Sequence, residues 1–218
     1  MSHGETPTTL WDTGLAGFRE AIASAAPTPG GGSVAAVSAT LGLGLVIMAL
    51  EISANRKDAL QPEENAALVA EARGLMARMS GDADDDVSAF AGYMAALKLP
   101  KQTDEEKAVR REALQAATRR ATEAPLAAAR HMVEALRLAA KAGPLSHTHV
   151  VSDVGAGTGL LDGALKAVLF NVDVNLPSLS DPALQTACRA ERTALAAEGA
   201  ALAAGVLATV AARLGGAA

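Results

Sequence analysis

The feature that most limits the fold is an uncharged run of small and apolar residues, VAAVSATLGLGLVIMAL, at positions 34–50. A helix of this composition is apolar on nearly every side, so other elements must cover it. The run is a little shorter than a bilayer span, contains Ser38 and Thr40, and ends at Glu51. We therefore predict a buried helix over about residues 34–54, at the centre of the protein, and no membrane span.

Composition favours helices throughout the chain. Half of the 218 residues are hydrophobic, but only one Trp, one Tyr and three Phe are present, and alanine dominates. Closely packed helices suit this composition better than a strand-rich core. The sequence predicts an all-α fold: a single-domain bundle of long helices over residues 10–218, after a flexible polar leader at residues 1–9.

Charge, cysteine and histidine content exclude several classes of protein and site. The net charge is −5 and no basic stripe is present, which argues against nucleic acid as a partner. The lone Cys188 excludes an internal disulfide and suits a reducing compartment. The start, MSHGETPTT, lacks the features of a signal peptide, so we expect a cytoplasmic protein. His147 and His149 lie in a predicted loop without a third metal ligand and are given no role.

The spacing of apolar residues, together with proline and glycine, predicts the remaining helices. The first should end before Pro27, and Ser180 is expected to cap the last one. The predicted helices cover residues 12–25, 63–97, 104–141, 153–171 and about 181–213.

Local signals define the boundaries of the longest predicted helix. Thr103 and Glu106 have the spacing of a capping box at its start. Pro125 removes one hydrogen bond from the helical ladder, so we predict a kink or a break there. Gly143 and Pro144 are predicted to mark its end.

The stretch APTPGGGS, residues 26–33, directly precedes the apolar helix. Free backbone N–H groups and the positive end of the helix dipole would favour anionic or carbonyl oxygens at this point. The simpler alternative is a turn with Ser33 as the N-cap. The stretch matches neither the phosphate-loop nor the dinucleotide-binding glycine motif.

Four aspartates are crowded together in the segment GDADDDVSAF. On a helix, Asp82, Asp85 and Asp86 share one face and Asp84 flanks them. Crowding of carboxylates favours proton uptake, and a group poised in this way can act as a general acid or base. A solvated acidic turn is the alternative. No further ligand is spaced to complete a cation site, so we predict no metal.

Other polar residues have both a binding and a structural interpretation. Lys98 and Lys101, near a predicted corner, could hold a carboxylate tail or form a solvated basic corner. Asp153 could cap the helix that follows it. Asn171 and Asn175 share one face, where their amides could meet the edge of a heterocycle or cap the end of a helix.

Taken in order along an all-helical chain, these motifs resemble those of the cyclodeaminase/cyclohydrolase family of tetrahydrofolate enzymes. Its members include formimidoyltetrahydrofolate cyclodeaminases and free-standing methenyltetrahydrofolate cyclohydrolases. The resemblance extends over about residues 12–210. The segments that carry it are SAAPTPGGGSVAAVSATLG, DADDDVSAF, ALKLPKQTDEEKAVRREALQ, EAPLAAA, SDVGAG and NVDVNL.

The resemblance implies roles for individual residues. The family's D-x-D-x-x-A-F motif corresponds to residues 84–90, which makes Asp86 the catalytic candidate, with Asp84 in the same motif. The family's P-G-G-G-S, L-P-K and N-V-x-x-N motifs also have counterparts here. The implied substrate-binding residues are Pro29, Gly30, Gly31, Gly32, Ser33, Arg56, Lys57, Lys98, Lys101, Asp153, Asn171 and Asn175.

One segment departs from the family pattern. Many relatives carry a glycine, two basic residues and an aromatic residue after the apolar helix, whereas this chain has Asn55, Arg56, Lys57, Asp58 and Ala59. The two basic residues are present, but the glycine and the aromatic residue are not. If this segment helps to hold the substrate, the substrate preference of this chain differs from that of the usual members.

The resemblance also implies an activity and its alternatives. The main expectation is hydrolysis of 5,10-methenyltetrahydrofolate to 10-formyltetrahydrofolate, with Asp86 taking a proton from water. One alternative is cyclisation of 5-formiminotetrahydrofolate with release of ammonia, and another is a non-catalytic helical oligomer that binds folate or another anion. We expect no cofactor beyond the folate substrate, which could carry a polyglutamate tail, and a homodimer or a larger homo-oligomer.

Overall fold

The computed structural model describes residues 9–59 and 61–215. These residues form α-helices and two short 3-10 turns, at Leu10–Asp12 and Leu176–Ser178, and contain no strand, which confirms the predicted all-α fold. The predicted leader, residues 1–9, lies outside the described residues except for Thr9. The helices are α1 (Leu15–Ile22), α2 (Gly31–Ala54), α3 (Pro62–Leu97), α4 (Asp104–Leu145), α5 (Val151–Asn175) and α6 (Pro182–Gly215).

Four of the long helices form an up-down-up-down bundle. Helix α2 packs between α3 and α5, and α4 occupies the corner diagonally opposite α2. Helix α6 lies against α4 and α5 on the outside of this bundle. Buried alanine, leucine and valine side chains from all five long helices form one continuous core. Because consecutive helices alternate in direction, the start of α2 and the end of α5 meet at the same end of the bundle.

Two glycines allow the backbones of α2 and α5 to touch. A Cβ atom on Gly42 would lie 2.8 Å from the carbonyl oxygen of Gly157, and a Cβ atom on Gly157 would meet the carbonyl oxygen of Gly42. Both positions are buried, so neither helix can move aside into solvent. Glycine is therefore required at both positions for this crossing of α2 and α5.

Helix α6 runs parallel to α4 and is joined to it by paired charges. Arg130 binds Glu191 with two hydrogen bonds of 2.5 and 2.8 Å, and Arg137 Nε binds Glu198 at 2.7 Å. Both pairs have the same separation in sequence, as parallel helices require. These ion pairs are half-exposed, so their main effect is to fix the register of the two helices rather than to add much stability.

Helix α4 is longer than predicted. The capping box is confirmed, because Glu106 N–H donates to Thr103 Oγ1 at 3.1 Å and Thr103 N–H donates to the Glu106 carboxylate at 3.2 Å. The helix then continues without a break through Pro125 and ends at Leu145, beyond Pro144. The predicted end at residues 143–144 is therefore wrong.

Several other boundaries differ from the prediction. Helix α5 spans Val151–Asn175 instead of residues 153–171, so that the NVDVN segment is helical. Helix α1 begins at Leu15 instead of residue 12, because a 3-10 turn precedes it. Helix α6 is capped by Asp181 and not by Ser180, since Asp181 Oδ1 accepts hydrogen bonds from the N–H groups of Ala183 and Leu184 at 2.9 and 3.2 Å.

One side of α2 is not covered by the rest of the chain. Leu41, Met48 and Ile52 remain 53%, 39% and 44% exposed, although α2 contributes many core residues. Within the described residues, α2 and α6 are both long and apolar enough to cross a membrane by length and composition alone. The core helix of a soluble protein meets the same criterion, and 61% of the most apolar window of α2 is buried inside the bundle.

Candidate active site

Helix α3 brings Asp86 to the start of α2. The backbone N–H of Ser33 donates to Asp86 Oδ2 at 2.9 Å, and the Ser33 hydroxyl donates to the same oxygen at 2.7 Å. Ser33 is fully buried and lies inside the first turn of α2, whose N-cap is Gly30. The alternative that Ser33 itself caps the helix is therefore wrong, because the carboxylate of Asp86 satisfies this end of α2 from another helix.

The glycine triplet makes room for two polar side chains. A Cβ atom on Gly32 would collide with Asp86 Oδ1 and would lie 2.5 Å from Asn171 Nδ2. Only glycine lets both groups approach the backbone at this point. A Cβ atom on Gly31 would lie 3.9 Å from Asn171 Oδ1, which places the Asn171 amide beside the same turn. The triplet thus brings a carboxylate from α3 and an amide from α5 together at the start of α2.

A cleft of about 430 Å³ opens beside these groups. Its lining includes the segment that leads into α2 and the aromatic residues Phe90 and Tyr93 of α3. Pro125 from α4 and Val174 from α5 complete the apolar part of the lining. The cleft therefore combines a fixed carboxylate and an amide with an aromatic wall, as suits a planar heterocycle with polar edges.

The two asparagines of α5 have different environments. Asn175 Nδ2 donates to the carbonyl oxygens of Ala121 and Asn171 at 2.8 and 2.9 Å. Ala121 is the residue whose carbonyl would accept from position 125 in an ordinary helix, and Pro125 has no N–H to donate. Asn175 thus replaces the hydrogen bond that the proline removes, which explains why α4 continues. The side chain of Asn171 makes no hydrogen bond within the described ranges and faces the cleft.

Phe90 and Tyr93 were not predicted as site residues. They follow Asp86 by four and seven positions, which places all three on one face of α3. This spacing was visible in the sequence and could have identified them. Pro125 and Val174 had no such signal, because they enter the cleft from distant helices.

Asp84 points away from the cleft. Its Oδ1 accepts a hydrogen bond from the backbone N–H of Leu10 at 2.9 Å, and Trp11 Nε1 donates to the carbonyl of Ser80 at 2.7 Å nearby. These contacts hold the segment before α1 against α3. Asp85 is exposed and lies 3.8 Å from Arg120. Only Asp86 of the acidic segment lies in the cleft.

Asp82 forms a separate pair with His131 of α4. His131 Nδ1 lies 2.9 Å from Asp82 Oδ2, and the aspartate side chain is 9% exposed. The hydrogen bond to Asp82 raises the pKa of His131 above its ordinary value of 6.5, although partial burial opposes this shift. The pair lies on the seam between α3 and α4 next to the ion pair Arg78–Glu134, and it stabilises this seam rather than the cleft.

The basic residues that were predicted to hold a substrate tail are divided between the two ends of the bundle. Arg56 and Lys57 follow α2, and about 33 Å of helix separates Gly32 from Ala54. Asp153, at the start of α5, lies at that distant end as well. Within one chain these three residues therefore do not join the cleft.

Lys98 and Lys101 lie at the same end of the bundle as the cleft. Lys98 follows the last turn of α3, five residues beyond Tyr93, and both lysines are exposed. Neither lines the cleft itself. Arg110 donates to the carbonyl of Leu97 at 3.2 Å and fixes the corner between α3 and α4 that carries the two lysines.

The two loop histidines belong to the distant end. The rings of His147 and His149 lie with their centres 4.8 Å apart and are tilted by 44° to each other, and His147 Nε2 lies 3.8 Å from Asp58. Among the residues that the structure describes, no three His, Cys, Asp or Glu side chains are grouped so that they could hold a metal ion. These histidines still have no assigned role.

Comparisons with known proteins identify the family of the chain. Residues 14–194 match the family described as Formiminotransferase-cyclodeaminase. The chain is 38% identical over 167 residues to a methenyltetrahydrofolate cyclohydrolase of Methylorubrum extorquens, covering 76% of this chain and 80% of that protein. It is 33% identical over 209 residues to the formimidoyltransferase-cyclodeaminase of Mus musculus, covering 94% of this chain but only 38% of that longer protein.

A solved structure has the same fold. The crystal structure of formiminotetrahydrofolate cyclodeaminase from Thermotoga maritima superposes with a TM-score of 0.76 at 23% identity, covering 94% of this chain and 96% of that one. At this identity the likeness establishes the helical architecture alone. The family match and the two sequence relatives go further, and the chain belongs to the formiminotransferase-cyclodeaminase family.

Proposed function

We propose that the protein hydrolyses 5,10-methenyltetrahydrofolate to 10-formyltetrahydrofolate, with Asp86 as the catalytic base. The observation that carries this proposal is the position of Asp86, whose Oδ2 is held by Ser33 while Oδ1 lies beside Gly32 and Asn171 in the cleft. The cyclohydrolase of Methylorubrum extorquens, which is 38% identical to this chain, supports the choice of reaction.

The proposed chemistry needs one carboxylate. Water attacks the carbon that bridges N5 and N10 of the substrate, and Oδ1 of Asp86 accepts a proton from that water. The resulting tetrahedral intermediate opens as the bond from carbon to N5 breaks, and Asp86 returns its proton to N5. The remaining hydroxyl proton is released to water as the C–OH group becomes the formyl C=O, which balances the positive charge of the methenyl substrate. The formyl group remains on N10. Because two hydrogen bonds from Ser33 fix the carboxylate, its free oxygen keeps one orientation throughout.

The remaining groups of the cleft would orient the substrate. The Asn171 amide can both donate to and accept from the edge of the pterin ring, and the free N–H groups at the start of α2 can donate to a ring carbonyl. Phe90 and Tyr93 offer faces against which the aromatic parts of the folate can pack.

Lys98 and Lys101 are placed to meet the glutamate tail. About 8 Å of helix separates Tyr93 from Lys98, and a lysine side chain reaches several ångströms further. A tail that leaves the aromatic wall along α3 would therefore bring its carboxylates to these two ammonium groups. Additional glutamates would extend toward the same exposed corner.

The second candidate activity is cyclisation of 5-formiminotetrahydrofolate. The alignment with the mouse formimidoyltransferase-cyclodeaminase favours this activity, because it covers 94% of this chain. In this reaction N10 attacks the formimino carbon, and Asp86 would transfer the proton from N10 to the departing ammonia. A third candidate is a helical oligomer that binds folate without catalysis. This candidate would be supported if the protein binds folate but converts neither substrate.

We further propose that the protein acts in the cytoplasm, as a homodimer or larger homo-oligomer, and requires no cofactor beyond the folate. The lone cysteine is consistent with a reducing compartment. The proposed chemistry uses only proton transfer by a carboxylate, which needs neither a metal nor a redox group. The exposed apolar side chains of α2 are of the kind that self-association covers.

The absorbance of the methenyl group tests both activities. Purified protein is incubated separately with 5,10-methenyl- and 5-formiminotetrahydrofolate and compared with enzyme-free samples, so that loss of the signal reports hydrolysis and its appearance reports cyclisation. Asp86→Asn should reduce turnover about 100- to 10,000-fold without loss of fold. Asp85→Asn, the exposed neighbour, is the matched control and should retain activity. A fully active D86N protein would refute the assignment.

A further inference from the structure

The segment that precedes α2 is attached to the bundle mainly at its two ends. We call residues 13–30, which include α1, the N-terminal strap. Before the strap, Leu10 and Trp11 bind α3, and after it the chain enters α2 at Gly31. No residue of the strap is buried, and among the described residues α1 packs extensively against none of the long helices. The position of the strap therefore depends on its two attachments.

The end of the N-terminal strap forms part of the cleft that contains Asp86. Pro27, Thr28 and Gly30 belong to the lining of this cleft. A separate groove of about 630 Å³, between α2 and α5, is lined by the same Pro27 and Gly30 together with Pro29. Two cavities thus border this part of the strap, so few packed side chains support it. A segment with so little packing keeps one conformation only if it is held elsewhere.

Both attachments of the N-terminal strap are made to one turn of α3. Before the strap, Asp84 Oδ1 accepts a hydrogen bond from the backbone N–H of Leu10 at 2.9 Å. After it, Asp86 Oδ2 accepts the two hydrogen bonds from Ser33. The two aspartates are two residues apart and face nearly opposite directions. Residues 10–33 therefore form a loop that two carboxylates of the same turn close.

A second hydrogen bond supports the attachment at Asp84. Trp11 Nε1 donates to the carbonyl oxygen of Ser80 at 2.7 Å. Ser80 precedes Asp84 by one helical turn and lies on the same face of α3. Two neighbouring residues of the chain thus bind two points of one face, which fixes the direction in which the strap leaves α3. Of the two acceptors, Asp84 carries the charge, and hydrogen bonds to charged acceptors are the stronger ones.

We propose that Asp84 is a positioning residue, which holds the start of the N-terminal strap on α3 and thereby keeps residues 27–30 in the conformation that binds the substrate. Asp84 does not touch the substrate and takes no part in proton transfer. This proposal rests on the proposed function of the cleft. It gives the two aspartates of the D-x-D motif different roles, because Asp86 acts on the substrate and Asp84 acts on a segment that lines the cleft.

Release of the attachment at Asp84 affects binding rather than the chemical step. The closed loop becomes an arm that is fixed only at α2, and it gains conformational freedom. Only those molecules whose strap is in place then bind the substrate well, so KM rises in inverse proportion to their fraction. At saturating substrate the strap is in place, and Asp86 is still held by Ser33, so kcat is retained.

Two substitutions of Asp84 separate positioning from acid–base chemistry. Asp84→Ala removes the acceptor and should raise KM about tenfold while kcat changes less than about twofold. Asp84→Asn keeps an oxygen that can accept from Leu10 and should restore most of the wild-type KM. If Asp84 were a general acid or base, kcat would fall in both variants, because an amide does not titrate. Asp85→Ala, at the exposed neighbouring position, is the control and should change neither constant.

The donor of the same hydrogen bond can be removed from the backbone. Leu10 begins a 3-10 turn, and Thr9 before it is extended, with φ −83° and ψ 164°, so proline is compatible with position 10. Leu10→Pro should raise KM as D84A does, whereas Leu10→Ala keeps the N–H and should raise it much less. In the double variant L10P/D84A, KM should be no higher than in D84A, because the hydrogen bond is already lost. Additive increases in KM would overturn the proposal.

Two measurements without substrate test the attachment independently of activity. Trp11 is the only tryptophan of the chain, so its fluorescence reports the start of the N-terminal strap. In D84A its emission should move to longer wavelength and acrylamide should quench it more strongly than in the wild type or D85A. Arg19 is the only Lys or Arg of the strap, and trypsin should cleave after it faster in D84A.

The outcomes distinguish this proposal from the proposed function. Wild-type fluorescence and a wild-type rate of cleavage in D84A would refute the attachment, and equal loss of kcat in D84A and D84N would refute the positioning role. A wild-type protein that converts neither folate would instead refute the proposed function. The fluorescence and trypsin results would still report whether Asp84 holds the N-terminal strap.

Discussion

Ser33 donates its backbone N–H and its hydroxyl to one oxygen of Asp86, at 2.9 and 2.7 Å. This contact joins the first turn of α2 to the C-terminal half of α3 across 53 residues of sequence. It also leaves the other carboxylate oxygen, Oδ1, with no hydrogen bond from the described residues. The orientation of the reactive oxygen therefore depends on a side chain that is itself fully buried.

Ser33→Ala tests this dependence. Removal of the hydroxyl should lower kcat about tenfold, the equivalent of one charge-assisted hydrogen bond, with little change in KM. Ser33→Thr keeps the hydroxyl and should recover much of the rate. Ser53→Ala, another buried serine at the distant end of α2, controls for stability: it should lower the midpoint of thermal unfolding without lowering kcat. Equal loss of kcat in S53A and S33A would contradict a specific role.

Gly32→Ala should abolish activity by displacing two groups at once. The added methyl group meets Asp86 Oδ1 and Asn171 Nδ2, so the carboxylate and the amide cannot both keep their positions. Gly74→Ala is the control, since a Cβ atom on this exposed position of α3 meets nothing within 4 Å. It should stabilise the protein by about 0.5–1 kcal/mol, because alanine is the better helix former. Turnover and chemical unfolding of both variants test this prediction, which an active G32A would contradict.

The Asn175 side chain and Pro125 should show energetic coupling. Asn175→Ala leaves the carbonyl of Ala121 unsatisfied and should lower the free energy of unfolding by about 1–3 kcal/mol. Pro125→Ala restores a backbone N–H four residues after Ala121, so N175A should cost less in that background. A double-mutant cycle in urea measures the coupling. Additive effects of the two substitutions would show that Asn175 does not compensate for the proline.

The Asp82–His131 pair should make stability depend on pH. The pKa of His131 is raised above 6.5 in the folded protein by its hydrogen bond to Asp82, with Arg78 opposing and Glu134 supporting the shift. The stabilisation is therefore complete below about pH 6.5 and is lost as the pH rises through the folded-state pKa of His131.

Denaturation of the wild type and of His131→Gln at several pH values measures this effect. The difference in free energy of unfolding between them should be larger at about pH 5.5 than at about pH 8.5. His149→Gln, which replaces an exposed histidine at the other end of the bundle, is the control for loss of an imidazole away from Asp82. A difference that grows with pH would contradict the assignment of the shift to Asp82.

Local patterns predicted the helices well, because apolar spacing and caps are properties of neighbouring residues. The box at Thr103 and Glu106 appears in the structure as expected. The effect of Pro125 could not be predicted in the same way, since the group that compensates for it, Asn175, comes from another helix. The sequence shows that a proline removes one helical hydrogen bond. Only the structure shows which side chain makes the hydrogen bond that replaces it.

The candidate site was partly accessible from the sequence. Asp86, Gly32 and Asn171 lie in short motifs and meet in the cleft. Helix geometry alone could have predicted that Asp84 does not join Asp86 in the cleft, because residues two apart on a helix face nearly opposite directions. The distance of Lys57 from the cleft could also have been predicted, because the sequence already indicates one helix over about residues 34–54 and the length of that helix separates its two ends.

The contact between Gly42 and Gly157 has a mechanical consequence. It acts as a pivot, and the catalytic end of α2 at Gly32 extends roughly 15 Å from it. A tilt of about 4° at the pivot would move that end by about 1 Å, a displacement that can cost a hundredfold in rate. Small distortions at this buried crossing would therefore cause larger displacements at the catalytic end of the helix. They would lower the catalytic rate before they lower the midpoint of thermal unfolding.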